Sequence, residues 1–310
     1  MRREAWALKA DNSTNSMPHA RGGSDGTRGL FGLDLGLAHH ASPLFKLLLH
    51  EGAEFGRREL HDHGTEIAAN SPPDGYTLTV VSIANALQPA LYKLPYNPHK
   101  AFDAVAMFVT SPNTLAVNPD VPAKTLMEFV AYVKSKPGDV HYASGGIGGS
   151  LHLGMELFKL VTKTDMVHVP FKGAGPAMID VIAGNTKATV ATTSSLSTHM
   201  RSGKLRGLAV STPKRIAALP DLPTFIEAGL PEYEGGNWIG FAVPAGTPKP
   251  VIEKLHKEIA AIQDMPEVQQ QFLNRGAEVV KMTPAQFQAY IEREMAKWGD
   301  VVKQAGIKAQ

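Results

Sequence analysis

Residues 140–183 read VHYASGGIGGSLHLGMELFKLVTKTDMVHVPFKGAGPAMIDVIA. The apolar pattern predicts a strand at 140–143, a helix at 151–160, a strand at 166–170 and a helix at 177–183. Loops rich in glycine and hydroxyl residues join each strand to its helix. The first is Tyr142-Ala143-Ser144-Gly145-Gly146-Ile147-Gly148-Gly149-Ser150 and the second Pro170-Phe171-Lys172-Gly173-Ala174-Gly175-Pro176. Strands that alternate with helices predict a parallel or mixed sheet with helices on its faces. In such sheets ligands collect at the carboxyl ends of strands, where loops feed helix starts. Glycine lets a backbone amide approach a ligand closely. A helix start offers unpaired N–H groups and partial positive charge, which suit an anion. A third join of this kind, Ser82-Ile83-Ala84-Asn85, follows an earlier strand. Each join alone reads as an ordinary capped loop; the three together favour an anion held mainly by backbone amides.

The same α/β alternation extends outward from this stretch. Further strands are predicted at 76–83, 105–110, 114–117, 188–191, 207–211 and 238–243, several with the near-continuous apolar character of buried strands. Thr125 with Glu128 three residues on reads as a capping box before Leu126, Phe129, Val130 and Val133, and Pro137-Gly138 stops that helix. Thr247-Pro248 opens another helix, with Val251, Leu255 and Ile259 on one face. Thr283-Pro284 with Gln286 opens a third, with Phe287, Ile291, Met295, Trp298 and Val302 at helical spacing and Gly306 as its stop. No repeat of fixed period and no low-complexity tract is visible.

Composition narrows the function classes. The chain has 310 residues, 43% of them apolar, and a formal net charge of +2. That suffices for two modest domains or one large one. Scattered rather than clustered Lys and Arg argue against nucleic acid as a partner. With no cysteine, disulfides, thiolate chemistry and Cys-ligated metal are excluded. The glycine loops lack both the full G-x-G-x-x-G spacing and the Gly-Lys-Ser/Thr of a P-loop, so no nucleotide cofactor is expected. G-x-S-x-G and H-E-x-x-H are absent too. His141, His152 and His168 lie near the candidate loops, with Asp165 and Asp180 close by, and are read as satisfying local hydrogen bonds rather than forming a catalytic pair. His61-Asp62-His63 has no diagnostic metal spacing, so neither a metal nor a cofactor is expected.

Short motifs, in order along the chain, then carry a family resemblance. They are Pro73-Asp74-Gly75-Tyr76-Thr77-Leu78, Leu91-Tyr92-Lys93-Leu94-Pro95-Tyr96-Asn97-Pro98, Val117-Asn118-Pro119 and Val121-Pro122-Ala123-Lys124-Thr125. Next come Tyr142-Ala143-Ser144-Gly145 with the run to His152, and His168-Val169-Pro170-Phe171-Lys172-Gly173, where Phe171 replaces the usual Tyr. Ser202-Gly203-Lys204-Leu205-Arg206, Leu219-Pro220-Asp221-Leu222-Pro223-Thr224, Glu227-Ala228-Gly229-Leu230, Pro244-Ala245-Gly246-Thr247-Pro248 and Ala305-Gly306-Ile307-Lys308 complete the series. From about Gly64 onward the chain resembles the Bug family, the solute-binding proteins of bacterial tripartite tricarboxylate transporters.

The resemblance implies a type II periplasmic-binding-protein fold, an α/β architecture of two domains around a ligand cleft. Domain I would comprise 64–105 and 223–310, and domain II 106–222. It implies a monomer that captures a small organic acid for the membrane components of a transporter, without catalysis. Ligand contacts carried over by position are Ser82, Asn85, Ser144, Gly148, Ser150, Lys172, Gly173, Ala174, Thr192, Thr193 and Trp238. A ligand-sensing module for a signalling partner is an alternative role for the same cleft. A small hydrolase or transferase using the glycine loops as an oxyanion site is a further one, disfavoured by the missing nucleophile–base pair.

Two departures stand out. The family often carries an Asp-Asn pair where this chain has Ala191-Thr192-Thr193-Ser194-Ser195, which weakens the expectation of contacts from that loop. Residues 1–63 match nothing in the family and hold half of the histidines. The family implies a periplasmic location, yet the basic start MRREAWALKADNSTNS is followed by no apolar signal segment. The segment EFGRRELHDHG, 54–64, read one base over with suitable codons, gives Asn-Ser-Ala-Gly-Gly-Ser-Ser-Thr-Ile-Thr, which resembles the family's glycine-rich segment at this point, after its second strand. A shifted reading frame would leave the chain poorly exported, retained in the cytoplasm and weak in solute binding.

Overall fold

The computed structural model describes residues 58–216, 219–274 and 276–307, with side chains from Gly64 onward. The expectations placed on 1–57, and on the side chains of His61, Asp62 and His63, lie outside the described residues.

One long strand organises the sheet. The sequence FDAVAMFVTSPNTLAV forms a single strand β2, Phe102–Val117, buried over most of its length. The apolar pattern predicts two strands there, 105–110 and 114–117; Pro112 between them lacks an N–H and would break most ladders. The break does not occur because β2 changes partners at that point. Phe102 to Pro112 pair antiparallel with β7, Gly236–Pro244. Asn113 to Val117 pair antiparallel with β5, Ala188–Thr192, and Thr114 to Val117 also pair with β6, Arg206–Val210. Pro112 therefore sits at the hand-over, where no ladder amide is required, and Asn113 N–H donates instead to Ser211 Oγ at 2.9 Å. The order β1-β7-β2-β5-β3-β4 is completed by β1, Thr79–Ser82, β3, His141–Ser144, and β4, Val167–Pro170. The two-residue strand β8, Glu278–Val279, pairs with β2 and carries no sequence signal. The fold is mixed α/β: β3 runs parallel to both β4 and β5, while β2 is antiparallel to its neighbours.

Helix starts follow their caps. Helix α1 covers Arg58–Ala69 and α2 covers Ile83–Leu91. In α3, Leu126–Lys134, Thr125 Oγ1 accepts from Glu128 N–H at 3.2 Å. The returning half of the expected capping box is displaced, because Glu128 accepts from Lys124 N–H at 2.7 Å instead. Helices α4, Ser150–Thr162, α5, Ala174–Ile182, and α6, Thr193–Arg201, follow β3, β4 and β5. Helix α5 begins three residues before the predicted 177, since a proline at its third position (Pro176) removes a donor the first turn does not use. Helices α7, Lys249–Gln263, and α8, Pro266–Asn274, precede α9, Pro284–Gln304. The Thr283–Gln286 capping box of α9 is complete, and Gly306 follows at φ +64°.

The core collects the apolar faces those patterns predict. Phe287, Ile291, Met295, Trp298 and Val302 of α9 are all buried, as are Leu126, Phe129, Val130 and Val133 of α3. Burying such a side chain fully stabilises by about 1.5–3 kcal/mol. Trp238 belongs to this core: it is 1% exposed, meets Phe287 and Tyr290 edge-on, and donates its indole N–H to Glu294 at 3.3 Å. Among the described residues, no helix is long and apolar enough to cross a membrane.

Candidate solute site

Three adjacent strands, in the order β5-β3-β4 and all parallel, end at the same edge of the sheet. Each leads into a helix there: β3 into α4 through 145–149, β4 into α5 through 171–173, and β5 directly into α6. Their cap residues Gly149, Gly173 and Thr192 give no side-chain hydrogen bond to the first turn. By contrast Ser82, Thr125 and Thr283 cap α2, α3 and α9 with their hydroxyls, although α7, starting after Pro248, also has no side-chain cap. The first amides of α4, α5 and α6 thus keep the unmet donors and partial positive charge of a bare helix start.

The beginning of the β3–α4 loop touches the α5 start. Gly173 N–H donates to Gly145 O at 3.1 Å, and Phe171 N–H to Ser144 O at 2.9 Å. The approach is so close that a Cβ on Gly145 would lie 2.9 Å from Ala174 N, which no larger residue tolerates. Gly173 adopts φ +109°, a region suited to glycine. The Lys172 side chain is exposed next to this pair.

The eleven expected residues divide by what their polar groups already do. Ser150, Lys172, Gly173 and Ala174 sit at the starts of α4 and α5, with the Gly173 N–H committed to Gly145 O; Thr192 stands at the third start, its Oγ1 donating to Ser195 Oγ at 3.1 Å. The Gly148 N–H is committed to His152 Nδ1 at 3.1 Å. Ser144 is 1% exposed, and its Oγ lies 2.6 Å from His168 Nε2 while accepting from Gly146 N–H at 3.3 Å. Thr193 is buried, with Oγ1 2.8 Å from Thr114 Oγ1 and donating to Pro112 O at 3.0 Å. Ser82 and Asn85 spend their side chains on the α2 capping box, and no hydrogen bond links either to the three helix starts. Asn85 and Trp238 instead line one cavity of ≈ 30 Å³, room for a water or two and no more.

Beneath the β3–α4 loop lies a buried polar cluster. The rings of His152 and His168 stack with centroids 3.9 Å apart, and Tyr142 stacks on His168 at 4.9 Å. Tyr142 donates its hydroxyl to Glu156, which also accepts from Lys159 at 2.9 Å. Burial, with the Lys159 charge beside it, pushes His152 down to about 4. Burial and the neighbouring His152 do the same to His168, also to about 4. Both imidazoles are therefore neutral at pH 7. Burial and the Glu156 carboxylate raise the Tyr142 phenol and keep it protonated.

His141, His152, His168 and Asp180 do satisfy local hydrogen bonds, as expected. The Ser144–His168 contact, however, is a hydroxyl–imidazole pair that sequence motifs did not reveal. It lacks the features of a nucleophile–base pair. Ser144 is closed to solvent, and among the described residues no carboxylate is hydrogen-bonded to His168 to orient it. Tyr142, Glu156 and Lys159 were missed altogether; the i, i+4 spacing of His152 and Glu156 on α4 was the one available signal.

The family model described as tripartite tricarboxylate transporter family receptor, TctC, matches residues 61–307. The chain belongs to this family. TctC-family proteins are periplasmic solute-binding receptors, and receptor function is not an enzyme class. Protein BugT of Bordetella pertussis is 34% identical over 248 residues, 79% of this chain and 76% of its own. Among solved structures, Rpa4515 of R. palustris with adipate is 30% identical with a TM-score of 0.67, covering 80% of this chain and 84% of that one. MatC from Rhodopseudomonas palustris with bound malate is 30% identical with a TM-score of 0.63, covering 78% and 84%. The TctC fold thus extends over the α/β unit that carries the three uncapped helix starts.

Proposed function

We propose that this TctC-family receptor captures a small organic acid, a dicarboxylate above all, and delivers it as a periplasmic monomer to the membrane components of a tripartite transporter. The observation that carries the reading is the convergence of α4, α5 and α6 at one sheet edge without side-chain caps. The β3–α4 loop is hydrogen-bonded to the α5 start, and the exposed Lys172 stands beside it. The solved relatives with adipate and malate support the choice of dicarboxylates. The magnitudes are consistent. Hydrogen bonds to a charged group contribute roughly 1.5–3 kcal/mol each, and micromolar affinity needs about −8 kcal/mol. A few helix-start amides suffice without a buried arginine.

The groups proposed to touch solute are Ser150, Lys172, Ala174 and the α6 start at Thr192, while Gly173, its N–H held by Gly145 O, shapes the approach to Ala174. Ser144, Gly148 and Thr193 support the loops from behind, while Ser82, Asn85 and Trp238 belong to the packing of the flanking segments. Two lobes, 106–222 and the segments around it, would close on the solute, hinged along β2, which runs through both. A thermal-shift screen of mono-, di- and tricarboxylates against neutral analogues tests the reading. Stabilisation by dicarboxylates is expected; stabilisation by neutral solutes alone would refute it.

A further inference from the structure

We infer that His152 and His168 are positioning residues of the solute site: each makes one hydrogen bond to the Ser144–Gly148 loop, and together they fix the helix-start amides that follow it. The inference rests on the solute reading above and names residues behind the site.

Each end of the loop is held by one imidazole. Ser144 Oγ lies 2.6 Å from His168 Nε2, and Gly148 N–H donates to His152 Nδ1 at 3.1 Å. The rings stack at 3.9 Å with 17° between their planes, so neither moves alone. Because Nδ1 of His152 accepts, the neutral ring carries its proton on Nε2. That nitrogen faces Glu156 Oε1 at 3.9 Å. Glu156 is itself fixed by Tyr142 and Lys159. At that distance there is no hydrogen bond, but the carboxylate charge favours the tautomer with the proton on Nε2 and so the free acceptor at Nδ1.

Gly148 leaves little room for slack. It adopts φ +74°, and a Cβ there would lie 3.2 Å from Leu91 Cδ1. The amides of Gly149 and Ser150 follow immediately. At its other end the loop holds the α5 start, since Gly145 O accepts from Gly173 N–H. A change at His152 therefore reaches both helix starts without touching solute.

The test compares His152→Asn with His152→Gln in the full chain. The Asn oxygen can stand where Nδ1 was; the Gln amide reaches the Nε2 position and leaves Gly148 N–H without its acceptor. Two quantities are measured near pH 7.5: affinity for malate and for adipate by calorimetry, and exchange of the Gly148 amide proton by NMR without ligand. For His152→Asn both should stay within about threefold of the parent. For His152→Gln affinity should fall roughly tenfold or more, the scale found for residues supporting a metal's ligands, and Gly148 exchange should accelerate similarly. Asn and Gln variants that both match the parent, or that lose affinity and protection equally, would overturn the inference. If the parent binds neither malate nor adipate, the solute reading fails for those acids, and Gly148 exchange in the two variants still decides the role of His152.

Discussion

Lys172 is exposed immediately before the α5 start, at the sheet edge where α4 also begins. A solvated ammonium is screened and contributes little to an ion pair, about 0–1 kcal/mol. Lys172→Ala is therefore expected to weaken dicarboxylate binding by less than about tenfold, as read by titration calorimetry. Complete loss of binding would make Lys172 the main counter-ion and the amides secondary. Sequence spacing located these strand–helix joins, though it set the α5 start three residues late, because glycines and hydroxyl residues before a helical pattern mark such a join whatever the rest of the chain does. It could not tell which polar groups remain free. Gly148, Ser144 and Thr193 resemble Ser150 and Ala174 in lying at the same joins, yet their donors and acceptors are taken by His152, His168, Thr114 and Pro112. That distinction depends on partners 24 to 81 positions away for Ser144 and Thr193, beyond any local pattern.

At the scale of elements, the fold was legible where local chemistry and tertiary packing agree. Helix α9 begins at its capping box and buries the face its periodicity predicts. Strand β2 reads as two in the apolar pattern; Pro112 between them is a local stop that the change of ladder partner renders harmless. Strand β8 is too short to carry a signal and forms only because β2 offers a free edge. The β2–β7–α9 layer is packed without slack around Gly240. A Cβ added there would lie 2.3 Å from Phe287 Cζ and 2.7 Å from Ala106 O. Gly240→Ala is expected to destabilise by about 1–3 kcal/mol, as overpacking typically does. Urea unfolding would check it. A loss under about 1 kcal/mol would mean that Phe287 can move aside and that the layer is looser than described.

At the scale of the whole molecule, the histidine pair couples stability to pH. Both imidazoles titrate near 4 in the fold, pushed down first by burial, and near 6.5 when unfolded. Between those values the unfolded chain binds more protons, so their contribution to stability is present above pH 6.5 and lost as pH falls toward 4. Unfolding free energy is expected to drop between pH 7 and 4.5, and to drop less in a variant with both His152 and His168 replaced by Asn. Equal slopes in the two proteins would show that carboxylates elsewhere set the acid sensitivity.

The central claim is that solute is held by the bare helix starts of α4 and α5, and its most direct test is an NMR titration of amide resonances with malate or adipate. The largest downfield shifts are expected at the amides of Gly149, Ser150, Ala174 and Gly175, with Gly148 little changed because its N–H is committed to His152. Saturable binding with those four amides unmoved would contradict the claim.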